Sequence, residues 1–445
     1  MFYALFRAVA SLLLKLFFRV APPADPTGAL QVEGPAIFVG NHPNGLVDPG
    51  LVFIHARRRL TFLAKAPLFK IPGLNLILKG LGALPVYRKQ DDPTKMAQNE
   101  GTLAASVDAL LAGGAITIFP EGKSHSEPQL TELKTGVARI ALDAVGKGAA
   151  LKVVPVGLTY EDKQMFRSAV RIDVGAAFDV AAWVKANPGE GPEQVRALTK
   201  AIADALRAVT LNLEKWEDLP ILETAETLYA VRTGGKANDA ERLRDFARGM
   251  QLLRDEQPER FEALKRQVRS FASTLALMQV GADDVTARYR PVQVARFVVK
   301  QVLAIALGLP LFLFGMVVFF IPYWIPHFVV RAVKPTRDTE STFKMMTTLV
   351  LAPAWWGFLC WLGWRFYGAP GFWAALLFSL PLALYTRTFI ERRAAAMRDA
   401  RTFLLLGSRA RLRAGLVTEG DALAKELEQL VVEFRPRVEG RAEVA

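Results

Sequence analysis

Two long apolar blocks constrain this chain more than any other feature. Val302–Val330 and Met346–Leu384 each exceed the ~20 residues that a helix needs to cross a bilayer. The first block contains Pro310, Pro322 and Pro326. The second is interrupted by Trp364-Arg365-Phe366-Tyr367-Gly368-Ala369-Pro370-Gly371. Trp and Tyr favour the membrane interface, so this interruption reads as a bend near the head groups. Basic residues flank both blocks: Arg288, Arg290, Arg296 and Lys300 before the first; Arg331, Lys334, Arg337 and Lys344 between them; Arg387, Arg392, Arg393, Arg398 and Arg401 after the second. If basic flanks stay cytoplasmic, each block enters and leaves on one side. The second is then a helical hairpin and the first a re-entrant or kinked pair. Access to the Arg331–Lys344 loop from outside the cell would break that topology. Two buried helices of a soluble core are the competing reading.

A chain of 445 residues has room for more than one domain. It is 51% hydrophobic and carries a net charge of +13. Charge and apolarity together point to anionic head groups or phosphorylated substrates. No nucleic-acid motif accompanies the charge, so no nucleic-acid partner is expected. Cys360 is the single cysteine, which excludes an intrachain disulfide. It sits in an apolar run as a small packing residue, and a domain facing a reducing cytosol fits this usage.

Residues Met1–Val20 are apolar except for Arg7, Ser11, Lys15 and Arg19, which steps of four keep on one side of a helix. That pattern predicts a helix lying in the membrane interface, ended by Pro22, Pro23 and Pro26. A signal peptide is the alternative, but basic residues interrupt its would-be core and no small-x-small cleavage site follows.

From about Gly28 to Thr210, short apolar runs alternate with helix-like stretches. Ala36–Val39, Leu60–Ala64, Ala83–Tyr87, Ala115–Phe119, Lys152–Leu158 and Val170–Val174 read as strands, with helices at Thr102–Leu111 and Gly136–Ala144. The pattern predicts an α/β domain with a central mixed sheet flanked by helices. Uniformly apolar strands suit a sheet covered on both faces. The expected organisation is a membrane-interface helix over 1–26, the α/β domain over 27–212, and a charged helical subdomain over 213–295. Membrane-embedded helices follow over 296–390 and a helical tail over 391–445.

Chemistry concentrates where apolar runs end. Ile37-Phe38-Val39-Gly40-Asn41-His42 closes one run in a histidine, and Asp48 follows after a turn-forming segment. A histidine accepts a proton near neutral pH, and a carboxylate fixes its tautomer and stabilises its charged form. Six residues of regular helix turn about 600°, which would set His42 and Asp48 on different faces. They meet only if Pro43, Asn44 and Gly45 bend the backbone. A second element, Phe119-Pro120-Glu121-Gly122-Lys123-Ser124-His125, puts Glu121 at a strand end. There Gly122 allows close backbone approach to a ligand, and Lys123, with Lys134 nearby, can meet a phosphate. A third, Gly80–Arg88, ends in an arginine suited to bidentate phosphate binding. A fourth, Val153-Val154-Pro155-Val156-Gly157-Leu158, reads as a buried strand.

Four such elements in this order resemble the glycerolipid acyltransferase family, over about Pro35–Tyr160 and more loosely to Asn212. The family's first motif is Asn-His followed by an aspartate after four residues; here five intervene between His42 and Asp48. Its third motif, Phe-Pro-Glu-Gly, commonly continues Thr-Arg-Ser, and here Lys123-Ser124-His125 follow. Val154-Pro155-Val156 matches the fourth motif, and Leu133–Ala141 is similar to the helix after motif three. These departures resemble a subgroup that includes fungal glycerol-3-phosphate/dihydroxyacetone-phosphate acyltransferases. They also leave phosphate binding to Lys123 or Arg88, because the motif-three arginine is absent. His55 and His327 match nothing and read as structural.

The resemblance implies a membrane-bound O-acyltransferase of phospholipid biosynthesis, with the catalytic domain facing the cytoplasm. His42 would be general base on a glycerol hydroxyl and Asp48 its orienting carboxylate. Arg88, Glu121, Gly122 and Lys123 would shape the substrate site. The donor would be acyl-CoA or acyl carrier protein, and the acceptor glycerol 3-phosphate, with lysophosphatidate as the alternative. No metal or bound cofactor is expected, because candidate ligands do not cluster. A catalytically inactive membrane scaffold of the same fold is the reading from a different class.

Overall fold

The computed structural model describes residues 2–71, 73–88, 93–237, 239–285, 291–408 and 410–443. Arg288 and Arg290, two of the basic flanking residues, lie outside the described residues. The chain divides into two compact units. One holds Met1–Asn212 and Pro335–Met345, the other Leu213–Lys334 and Met346–Arg441.

The first unit is a mixed sheet. Its strands are β1 (Arg19–Val20), β2 (Ala36–Gly40), β3 (Leu60–Lys65), β4 (Leu84–Val86), β5 (Ala115–Ile118), β6 (Lys152–Tyr160), β7 (Ala169–Val174) and β8 (Phe178–Asp179). Their order is β1-β7-β6-β2-β5-β3-β4, with β8 also on β6. Strands β2 to β6 run parallel, while β7 and β8 join β6 antiparallel. Helices α1 (Phe2–Phe17), α2 (Val47–His55), α3 (Leu74–Gly80), α4 (Asn99–Leu111), α5 (Gly136–Gly146), α6 (Val180–Ala186) and α7 (Gly191–Val209) complete it.

Parallel strands joined by crossover helices must be covered on both faces, which explains their lack of polar alternation. Ala36, Phe38, Ala115, Val154 and Val156 enter one core with α1 and α2. Ile37, Val39, Ile116, Ile118 and Val153 enter the other with α4, α5 and α7. Successive residues of one strand therefore serve opposite cores, as the period-2 geometry requires.

Helix α1 stops at Phe17, before the three prolines, because Arg19–Val20 pair with Ala169–Val170 as an edge strand. Tyr3 and Phe6 set their rings 5.0 and 5.7 Å from that of Phe53 on α2. Arg7 donates to the carbonyls of Ala56 and Arg58 instead of facing outward with Lys15. Phe2, Leu5, Val9 and Leu12, at steps of three and four, leave one apolar stripe of α1 exposed.

The second unit contains α8 (Leu219–Thr233), α9 (Ala240–Glu256), α10 (Pro258–Met278), α11 (Pro291–Val318), α12 (Phe320–Val333), α13 (Glu340–Ser408, its first turns in the other unit) and α14 (Ala410–Glu443). Ile221, Leu228, Phe261, Phe271, Leu427 and Phe434 share one core, so the C-terminal helix packs with the charged helices near 220–280. Two stretches, Arg296–Val318 and Glu340–Arg393, are long and apolar enough to cross a membrane. Only 11% of the most apolar window of each is buried, far below what the core of a soluble protein would give. Helix α12 has 14 residues and rises about 21 Å, short of a ~30 Å hydrocarbon layer. The first block is thus one long helix and one short one.

Within α13, Gly368 (φ 62°, ψ −150°) breaks the helix. Across that break, a Cβ built on Gly363 would stand 2.3 Å from the Gly371 carbonyl oxygen. Residues eight apart on a straight helix stand about 12 Å apart. The two backbones can be that close only because the chain doubles back, which makes the second block a helical hairpin.

Candidate active site

Strands β2 and β5 are neighbours, with Val39 opposite Ile118. His42 follows Val39 at the same offset as Glu121 follows Ile118, so register alone sets the two motifs side by side. Asn41 fixes the other flank: its side chain donates to the Leu158 carbonyl at 3.0 Å and accepts from the Leu158 amide at 2.7 Å. One residue past the end of β2, the asparagine thereby extends that strand's contact with β6.

The five-residue spacer closes as a turn into α2, whose first turn contains Asp48. His42 Nδ1 stands 2.8 Å from Asp48 Oδ2. That oxygen also accepts the Asn44 amide at 2.6 Å, while Asp48 Oδ1 accepts the Tyr160 hydroxyl at 2.5 Å. Asp48 is fully buried. Burial lifts its carboxyl above the ordinary carboxylate value, against the pull of His42, Tyr160 and Asn44. Burial and the adjoining carboxylate push the Tyr160 hydroxyl well above its usual value, so it stays a donor. The His42 ring stacks on Phe119, with centroids 4.4 Å apart. Among the described residues, no hydrogen bond occupies His42 Nε2.

Glu121 is buried, and both its oxygens are committed to the protein. Oε1 accepts the His42 amide at 2.8 Å; Oε2 accepts the amide and hydroxyl of Thr131, each at 2.8 Å, and His125 Nε2. Burial alone would raise this carboxyl, but His125 and Thr131 outweigh it and hold the pKa below the ordinary value. The sequence suggested that Glu121 helps shape the substrate site. Its observed bonds tie it to the His42 backbone. His125 Nδ1 accepts the Glu127 amide at 3.1 Å, so both ring nitrogens are in use.

Of the other residues expected at the site, Gly122 and Lys123 follow Glu121 in the same loop, and Arg88 lies farther along the sheet. Gly122 is exposed at φ +72°, a conformation costly for other residues, and the Lys134 side chain lies against it. Lys123 is exposed beside it. Arg88 is half-buried just past β4, three strands along the sheet from β2, or about 14 Å at ordinary strand spacing. His55 and His327 each bond a carbonyl of their own helix through Nδ1. Among the described residues, no group of three or more His, Cys, Asp or Glu side chains could hold a metal ion.

Two residues were not anticipated from the sequence. Tyr160 ends β6 on the face shared by Val156 and Leu158, so a polar-tipped aromatic at a strand end was its only signal. Lys163 donates to the carbonyls of Pro43 and His125 at 2.6 and 3.0 Å and to Ser126 Oγ at 2.7 Å. It joins the two motif loops, and burial lowers its pKa despite Asp338 and Asp48 nearby. Nothing in its local sequence marks it.

Residues 26–159 match the family model of the acyltransferases. The matched stretch runs from before β2 through nearly all of β6. Among solved structures, the chain is similar to the 1-acyl-sn-glycerophosphate (LPA) acyltransferase PlsC from Thermotoga maritima. That match has 20% identity and a TM-score of 0.33, and covers 46% of this chain and 79% of that one. No curated protein matches the chain significantly.

Proposed function

We propose that this chain is a membrane-bound glycerolipid O-acyltransferase, moving a fatty acyl group from a thioester to glycerol 3-phosphate. The observation that carries the reading is the His42–Asp48 pair. Asp48 holds Nδ1, which leaves Nε2 to take a proton from a substrate hydroxyl. The freed oxygen attacks the thioester carbonyl, a C–O bond forms and the C–S bond breaks. The thiolate leaves and recovers the proton from the His42 imidazolium, which Asp48 stabilises meanwhile. No covalent acyl-enzyme is required. Glu121 holds the His42 backbone in place. Arg88 and Lys123 meet the acceptor phosphate, and Gly122 lets the backbone approach it closely.

The two apolar stretches and the exposed stripe of α1 support membrane attachment. In this reading the acyltransferase domain faces the cytoplasm. The donor is acyl-CoA or acyl carrier protein, and neither a metal nor a bound cofactor takes part.

The test is thiol release by purified full-length protein in lipid vesicles, with each donor and with glycerol 3-phosphate or lysophosphatidate as acceptor. Faster release with glycerol 3-phosphate is expected. A reversed preference selects lysophosphatidate, whose recognition would use the same phosphate contacts. No release with any pairing leaves the inactive scaffold.

A further inference from the structure

Pro335–Met345 lies between α12 and the main length of α13 in sequence, yet belongs to the sheet-containing unit. Ser341, fully buried, donates to the Asn44 side-chain oxygen at 2.8 Å. Asp338 accepts from the Ser124 hydroxyl. Gly45 passes so near that a Cβ there would meet the Asp338 carbonyl oxygen at 3.1 Å and Thr342 Oγ1 at 3.3 Å. Lys344 donates to the Gln164 carbonyl at 2.9 Å, and Met345 closes into the core shared by α1 and α2.

We propose that Pro335–Met345 is a positioning strap for the His42–Asp48 pair, acting mainly through Ser341 and Asn44. This rests on the reading of His42 as base. Asn44 is fully buried, and its backbone amide donates to the same Asp48 oxygen that His42 Nδ1 meets. Ser341 is therefore linked to Asp48 and His42 through Asn44, which is bonded by its side chain on one side and by its backbone on the other. A five-residue spacer has more slack than a four-residue one, and the strap removes it from outside. Ser124 does the same for the Glu121 loop through Asp338. Small misplacement of a base costs on the order of 10²-fold in rate, so such ties matter for kcat. The segment between the apolar blocks then supplies part of the site's frame as well as a connection.

The experiment uses the full chain in lipid vesicles with Ser341→Ala, Asn44→Ala, their double variant, Asp338→Asn and His42→Ala, read by thiol-release kinetics and thermal melts. Ser341→Ala should lower kcat about tenfold while acceptor KM stays within about twofold, since the lost tie serves the transition state and not binding. The double variant should be no slower than Asn44→Ala alone, because both act through one bond. The near-isosteric Asp338→Asn should lower kcat severalfold with little change in melting, and decides the matter if Ser341→Ala fails to fold. Wild-type kcat in Ser341→Ala and Asp338→Asn beside an inert His42→Ala overturns the strap alone. Multiplying losses in the double variant overturn its route through Asn44. An active His42→Ala overturns the base assignment and, with it, the strap's catalytic role.

Discussion

His42 and His125 each touch a buried carboxylate, but through different nitrogens. Asp48 meets His42 at Nδ1, and Nε2 has no hydrogen bond among the described residues. Glu121 meets His125 at Nε2, and the Glu127 amide takes Nδ1. A ring bonded at both nitrogens is a structural tie; a ring held at one is positioned to exchange a proton. The carboxyls differ as well. Burial dominates at Asp48 and raises its pKa, whereas hydrogen bonds dominate at Glu121 and lower it. Residue type and proximity to a carboxylate do not separate the two pairs; the atoms left over do.

The largest effect should come from the rings themselves. His42→Ala should cost about 10⁴-fold in kcat/KM, and His125→Ala no more than about tenfold with a lower melting temperature. Equal losses in thiol-release assays would erase the distinction. Next, Asp48→Asn should cost about 10³-fold in kcat, because the amide no longer stabilises imidazolium. Glu121→Gln should cost about tenfold, together with about 1–3 kcal/mol of stability from donors left unpaired.

Melts across pH sharpen the contrast, because the signs oppose. Asp48 has a raised folded pKa, so ionising it costs stability above that pKa, and the cost fades as pH falls through it. The stability of Asp48→Asn relative to wild type should therefore fall in acid. Glu121 has a lowered folded pKa; its contribution is complete above the ordinary carboxylate pKa and is lost as pH falls through the folded value. The wild-type lead over Glu121→Gln should therefore narrow in acid. Trends of the same sign in both variants would contradict the two environments. The smallest effect should come from outside either pair: Arg88→Ala should raise the acceptor KM several-fold with kcat nearly unchanged, a signature of ground-state phosphate binding.

Period and register made much of this legible in the sequence. Apolar runs at 36–39, 115–119 and 152–158 fall in adjacent strands, and the motif residues follow the ends of two of them. The doubling back at Gly368 was legible too, because aromatics and turn formers interrupt an apolar run. The requirement that Pro43–Gly45 fold for Asp48 to reach His42 came from helix geometry alone, and the 2.8 Å contact meets it.

Other features depended on contacts between residues far apart in the chain. Local sequence carries no trace of Lys163 clamping Pro43, of Tyr160 capping Asp48, or of Ser341 reaching Asn44. The inward turn of Arg7 likewise depends on carbonyls of Ala56 and Arg58 that no helical period reveals. Sequence alone determined which residues could act as base and carboxylate, since that is a matter of side-chain chemistry and short-range geometry. The tertiary structure decided which of the two histidines keeps a ring nitrogen without a hydrogen bond among the described residues, because hydrogen-bond occupancy depends on partners brought together only by folding.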